Sequence, residues 1–285
     1  MALGVEPASI WVLVGDAFRA GATAPPEVEA SFVEPTFEVD HVVELPARGE
    51  GRAEPAAGIR PPDVRCYLVH VRPDVLTAFA REHGIPNAHL EAAADEIVYE
   101  HSYRLNRAFY SAAGDKRAFV LSHGKDLLVL KVVGYGNNVI GWYGLEELRA
   151  HVWIGHHRYP TKGRVWHPGG AHPFIGLNEA LVHNGDFANY SSVCSYLAQR
   201  NRYPLFLTDT EVAALAFDLL QRVCGYPLDY VIEPWRPRPS GTSPCSLPTS
   251  SACIGCSRPF TCTAPPTARG SSWSRSRSPD SGPCG

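Results

Sequence analysis

Apolar and polar positions alternate along Phe37 to Leu45, and Cys66, Tyr67, Val69 and Val71 mark a second apolar run along Val64 to Val71, so both stretches read as β-strands. Between them, Ala47 to Pro62 is rich in Gly, Pro, Arg and Glu and reads as a loop. Pro73-Asp74 opens a helix that carries Val75, Leu76 and Phe79 until Gly84 stops it. A longer helix is predicted from about Ala88 to Tyr110, on the partial stripe of Leu90, Ala94, Ile97, Tyr103 and Leu105. Phe119 to Leu121 and Leu127 to Val133 flank the turn Ser122 to Asp126, which predicts a hairpin that Gly134 to Asn138 ends. A short helix near Leu145 to Ala150 precedes two strands, Val152 to His156 and Glu179 to His183, with a Gly/Pro-rich loop between them. Helices are then expected over Asp186 to Arg200 and Thr208 to Val223. In the latter, Val212, Leu215, Ala216, Leu219, Leu220 and Val223 share one face, and Asp209 stands in the first turn.

Two stretches stay outside this pattern. Residues 1–35 hold one apolar run, Ile10 to Val14, followed by Ala, Pro and Gly that offer little to pack, and they read as an irregular N-terminal segment. From 237 to 285 the chain is Ser, Pro, Cys, Gly and Arg with no apolar period, which predicts a disordered tail. Such a tail is what a shifted reading frame in a GC-rich gene would give, a hypothesis that an intact frame on resequencing would refute. One domain over 36–236 remains.

Composition narrows the function without naming it. Lys and Arg number 26 against 29 Asp and Glu, a net charge of -3, which gives no general electrostatic reason to bind nucleic acid or an acidic membrane. The run Ile10 to Val14 is far too short to span a bilayer, so a cytoplasmic protein is expected. Cys66, Cys194 and Cys224 are scattered through the patterned part and read as reduced thiols, Cys66 and Cys194 as core residues. No pair among His156, His157, His167, His172 and His183 has the i, i+4 spacing of a helical metal site, and Cys253-Ile254-Gly255-Cys256 lacks a second pair, so no metal or cofactor is expected.

The candidate chemistry sits at three polar corners, each at the end of an apolar run and spaced about evenly. They are His156 to Gly163, His183 to Asp186 and Leu207 to Val212. Arg158 offers a planar, permanently charged fork for a carboxylate, and Asp209 a carboxylate for an ammonium, which together describe the head group of a free amino acid. Asn184 and Gly185 offer a side-chain amide and an unhindered N–H at a strand end, the equipment of an oxyanion hole.

In Gly155-His156-His157-Arg158-Tyr159-Pro160-Thr161-Lys162-Gly163, Ala171-His172-Pro173-Phe174, Leu181-Val182-His183-Asn184-Gly185-Asp186 and Thr208-Asp209-Thr210-Glu211-Val212, the chain resembles the class II glutamine amidotransferases. Their glutaminase domain belongs to the N-terminal-nucleophile hydrolases. Tyr159-Pro160 and Ala171 to Phe174 look most like the glutamate synthase type, as against the sugar or purine branches. The resemblance implies an α+β fold of the four-layer αββα kind. It also implies L-glutamine as ligand, with Arg158 and Thr161 on its α-carboxylate, Asp209 on its α-ammonium, and Asn184 and Gly185 on the tetrahedral oxyanion. Ammonia would pass to a synthase subunit or domain. His172 looks structural, and Lys162 receives no role.

The family's nucleophile is a cysteine at the mature N-terminus, activated by its own α-amine. This sequence starts Met1-Ala2-Leu3-Gly4, and Cys66, followed by Tyr67 where the family has glycine, reads as a buried strand thiol. The expectation is therefore a domain incomplete at its start that binds glutamine without turning it over. A non-catalytic subunit that senses glutamine or docks a partner, and a truncated gene fragment, are the alternatives.

Overall fold

The computed structural model describes residues 5–14, 33, 35–45, 63–110, 117–131, 136–157, 168–183 and 189–233. Strands β1 (Ala8–Val14), β2 (Phe37–Leu45), β3 (Asp63–Val71) and β4 (Ala118–Gly124) form one antiparallel sheet in the order β2-β3-β1-β4. Helices α1 (Pro73–Glu82) and α2 (Leu90–Phe109) follow β3 in the chain. Pro73 opens α1 and Gly84, at φ +65°, ends it in the left-handed region, as the sequence predicts.

Helix α2 packs on β4. Its Ala93, Ala94, Ile97, Val98 and Leu105 share a buried cluster with Ile10, Val12, Tyr67, Val69, Ala118 and Val120. The alternate residues of β4, Phe119 and Leu121, join a second cluster with Tyr110, Trp142, Phe174 and Phe206. Every residue of β4 is buried, so the strand lacks the polar alternation that a half-exposed strand would show.

The remaining elements are α3 (Gly136–Tyr143), the paired strands β5 (Phe174–Ile175) and β6 (Ala180–Leu181), α4 (Tyr190–Ala198), α5 (Asp209–Asp218) and α6 (Leu228–Ile232). A π-helical turn, Leu219–Val223, continues α5. The architecture is α+β. Among the described residues no helix is long and apolar enough to cross a membrane.

Several expectations are corrected. Within the segment expected to be irregular, Ala8–Val14 is an interior strand, paired with β3 on one side and β4 on the other. Its partners lie far away in sequence, so no local turn announces it. Leu127 to Val133 does not pair with β4 as a hairpin over its described part. Ser122 Oγ instead accepts the Val129 N–H at 3.0 Å, and Lys131 Nζ is drawn inside to donate to Gly169 O at 3.0 Å. The helix expected near Leu145 to Ala150 lies earlier, at Gly136–Tyr143. Val152 to His156 is no strand, because an apolar run becomes one only where an edge takes its hydrogen bonds, and Val152 and Trp153 remain 76% and 63% exposed. The helix expected to reach Val223 leaves α geometry after Asp218. The tail at 237–285 lies outside the described residues.

A knot of four charges, Glu96, Arg202 and Asp218 buried and Arg222 nearly so, joins α2 to α5 and the π-helical turn after it. Arg202 donates to Asp218 at 3.1 Å and to Glu96 at 3.4 Å, while Arg222 grips Asp218 with two bonds of 2.7 Å and also pairs with Glu96. Both guanidiniums lie over the Tyr99 ring, 4.3 and 4.8 Å from its centroid. Asp218 also accepts the Leu177 N–H at 3.1 Å, which ties the β5–β6 turn to α5. Burial alone would raise the Asp218 carboxyl, but Arg222 and Arg202 outweigh it and hold the group below the usual carboxylate range.

The same turn needs glycine on the strand it meets. Gly124 has φ +103°, and a Cβ there would lie 2.7 Å from Leu177 O. Gly124→Ala should lower stability by about 1–3 kcal/mol through strain and overpacking. Urea unfolding measures this, and an unchanged midpoint would show that the β5–β6 turn yields.

Candidate functional site

Helix α5 begins with Thr-x-x-Glu, the sequence of a capping box. Thr208 is the N-cap, and its Oγ1 accepts the Glu211 N–H at 3.1 Å. Glu211 does not return to the N-cap N–H in the usual way. Its carboxylate accepts three consecutive N–H groups ahead of the cap, from Leu205 at 2.6 Å, Phe206 at 2.8 Å and Leu207 at 3.0 Å. Leu207 has φ 59°, a left-handed conformation unfavourable for a leucine, so the approach to α5 is a strained turn held by one buried carboxylate.

This turn sets Asp209 at the first helical position, where the helix dipole favours an anion. Asp209 Oδ1 accepts the Thr210 N–H at 2.8 Å. Oδ2 is buried and has no hydrogen-bond partner among the described residues. Among the described residues His183 Nδ1 lies 3.5 Å from Oδ2, within ion-pair range.

The three corners meet here. His183 stands just after β6 and immediately before Asn184-Gly185, and it brings the second corner to the third. His156 of the first corner stacks on His172, with ring centroids 4.3 Å apart, and His172 Nε2 lies 2.8 Å from Thr210 Oγ1 in the first turn of α5. His172 therefore joins the loop to the helix, next to its cis peptide bond with Pro173. Asp209 is the one predicted site residue that the structure describes; Arg158, Thr161, Asn184 and Gly185 lie outside the described residues, as does the predicted helix start at Asp186.

Two buried charged groups beside the site carry no role in the sequence reading. Lys131, 4% exposed, sits over the Phe174 ring at 4.6 Å, and burial pushes its ammonium down to about 7 against the pull of the Glu211 carboxylate. Burial pushes the Glu211 carboxyl up to about 7, opposed by the three N–H groups and by Lys131. Thr208-x-x-Glu211 signalled a cap, though not its reach. Lys131, inside the run Leu127 to Val133, gave only the hint of a charge in an apolar stretch.

The three described cysteines are free thiols. Cys66 lies in β3 between β1 and β2, where burial pushes its thiol up to about 12. Burial also raises Cys194 and Cys224, so none of the three has the thiolate character of a nucleophile.

No family model matches the chain, and no solved structure matches it significantly. Among curated proteins, it is 41% identical over 121 residues to an uncharacterized protein of Archaeoglobus fulgidus, a match covering 42% of this chain and 32% of that protein. It is 29% identical over 134 residues to a glutamine--fructose-6-phosphate aminotransferase [isomerizing] of Buchnera aphidicola subsp. Baizongia pistaciae, over 47% of this chain and 21% of that protein. A protein of the same name from Aeropyrum pernix is 34% identical over 112 residues, covering 39% and 18%. The chain thus spans about a third or less of the length of these relatives. Taken with the corners above, the similarity supports a glutamine amidotransferase-related domain in this chain.

Proposed function

We propose that this domain binds L-glutamine at the three corners. Asp209 takes the α-ammonium, Arg158 and Thr161 the α-carboxylate, and Asn184 with Gly185 faces the side-chain carbonyl. The observation that carries this reading is the buried Oδ2 of Asp209, without a hydrogen-bond partner among the described residues, beside the residue that precedes Asn184. A buried carboxylate oxygen without a donor is costly, and a ligand ammonium would remove that cost.

In the chemistry of this enzyme type, a thiolate attacks the side-chain amide carbon and the C–N bond breaks with ammonia as leaving group. The γ-glutamyl thioester that remains is hydrolysed to glutamate. Asn184 and Gly185 would donate to the oxyanion of both tetrahedral intermediates. The ammonia would serve a synthase partner, and we assign that partner to glutamate synthesis on Tyr159-Pro160 and Ala171 to Phe174, although the named relatives are sugar-phosphate enzymes. Helix α2 on β4, the shared cluster of Phe119 and Leu121 of β4 with Phe174 of β5, and α5 on the β5–β6 pair support an αββα order of layers.

A second reading, a glutamine-sensing or docking module without turnover, is favoured by the raised thiols of buried Cys66 and half-buried Cys194 and Cys224. Titration calorimetry with L-glutamine, L-glutamate and D-glutamine tests the binding that both readings share. Saturable heat for L-glutamine, stronger than for the other two, is expected. No heat at about 10 mM ligand would overturn it, since a Kd of about 1 mM is already only about 4 kcal/mol of binding free energy. Ammonia release then separates enzyme from sensor.

A further inference from the structure

The approach to α5 has more holding it than a helix start requires. One capping side chain, Thr208, already serves the helix end. Glu211 serves a different stretch, Leu205 to Leu207, and is buried in doing so. Without those three bonds nothing among the described residues would compensate the left-handed Leu207, two positions before Asp209.

We propose that Glu211 is the positioning residue of the ammonium site: its carboxylate clamps the N–H groups of Leu205, Phe206 and Leu207, which fixes the turn into α5 and so the direction of Asp209. This rests on the reading that Asp209 holds the ligand's ammonium. Protonation of the carboxylate takes up one oxygen lone pair as an O–H and weakens the clamp. The side chain has somewhere to go, because Glu211 and Lys131 line a cavity of ≈ 80 Å³ together with Tyr103, Asn106, Phe174 and Tyr203.

The titratable groups around Glu211 in the described residues are few. Lys131 faces it from the stretch after β4, Tyr103 from α2, Tyr190 and Cys194 from α4, and His123 of β4 lines the same cavity. Burial raises Tyr103, Tyr190 and Cys194 and lowers His123 to about 4. Burial thus pushes Lys131 down and Glu211 up, both to about 7. A carboxyl is protonated as pH falls, so the clamp is whole above about pH 7 and weakens below it.

The test uses the full chain with Glu211→Gln and Lys131→Met. Glutamine affinity is measured by calorimetry between about pH 6 and 8, and amide exchange of Leu205, Phe206 and Leu207 over the same range, corrected for intrinsic rates. The wild type should lose affinity as pH falls through about 7. E211Q, whose amide presents one acceptor oxygen, should bind about tenfold more weakly at about pH 8, the effect of a competent conformer reduced to about a tenth, and lack that pH step. K131M removes the cation that favours the carboxylate, so its step should move to higher pH. His183, 3.5 Å from Asp209, is common to the three proteins, so the reading is the difference in the pH step between variants.

Wild-type affinity and an unchanged pH step in E211Q would overturn the proposal while leaving the glutamine reading intact. If the wild type binds no glutamine, that reading falls with the Asp209 role, and exchange alone judges the clamp. Slow amides at 205–207 that speed up in E211Q uphold the clamp, and equal rates refute it. Should E211Q fail to fold, the shifted step of K131M decides, and an unshifted one overturns the proposal.

Discussion

Asp218→Ala should lower the unfolding free energy by about 3–5 kcal/mol, the usual cost of removing one partner from a buried ion pair. Asp218 is fully buried and accepts from Arg202, Arg222 and the Leu177 N–H. Its removal leaves Glu96 as the remaining ion-pair partner of the two guanidiniums among the described residues, inside a protein where neither can reach water easily. Asp218→Asn keeps the shape and should recover part of the loss through the Leu177 bond. The pH dependence has a definite sign. Because the folded-state carboxyl is depressed, its contribution is complete above the unfolded value of about 4 and is lost as pH falls through the folded value. Guanidinium unfolding at neutral and acidic pH measures both effects. A change below about 1 kcal/mol at neutral pH would mean that the knot is solvated and weak.

Asp209→Asn should produce the opposite profile, a large loss of ligand binding with little change in stability. The asparagine fills the same space and can still accept the Thr210 N–H now bonded to Oδ1 at 2.8 Å. What disappears is the charge for the ligand's ammonium, and truncating one side of a desolvated charge pair costs about 2–5 kcal/mol, or roughly 30- to 5,000-fold in affinity. The melting temperature should stay within about 2 °C or rise, because an Oδ2 buried without a hydrogen-bond partner among the described residues is a cost that a neutral amide lessens, against a small loss of charge at the helix start. Calorimetry and thermal melts on the same sample separate the two effects. Retained affinity with a lowered melting temperature would make Asp209 a helix-start residue and nothing more.

How far the sequence could be read depended on the range over which each element is specified. Helices α1 and α2 and strands β2 and β3 carry their own period and punctuation, Pro73 and Gly84 among them, and were legible. Strand β1 was not, because its identity comes from neighbours at Asp63–Val71 and Ala118–Gly124 rather than from its flanks. The error at Leu127 to Val133 has a related origin. An apolar run beside a strand resembles a hairpin arm until a side chain such as Ser122 takes the ladder's N–H. At the site, Asp209 could be picked out because its motif is contiguous. The clamp of Glu211 could not, since a cap and a clamp share the sequence Thr-x-x-Glu and differ only in which amides the carboxylate reaches.

The position of β1 also governs how the chain is made. Ser9 Oγ bonds to Gly124 O, 115 positions later, and β1 lies between two strands that are synthesised after it. On the ribosome, at roughly 5–20 residues per second, this apolar strand must therefore wait for seconds with at least one edge open. Its exposed Ile10 and Val12 are then a target for chaperones or for pairing with a neighbouring nascent chain. Slower translation should reduce the soluble yield only if β1 is left unattended, and a charged residue within it should spare the nascent chain while costing the finished sheet its centre.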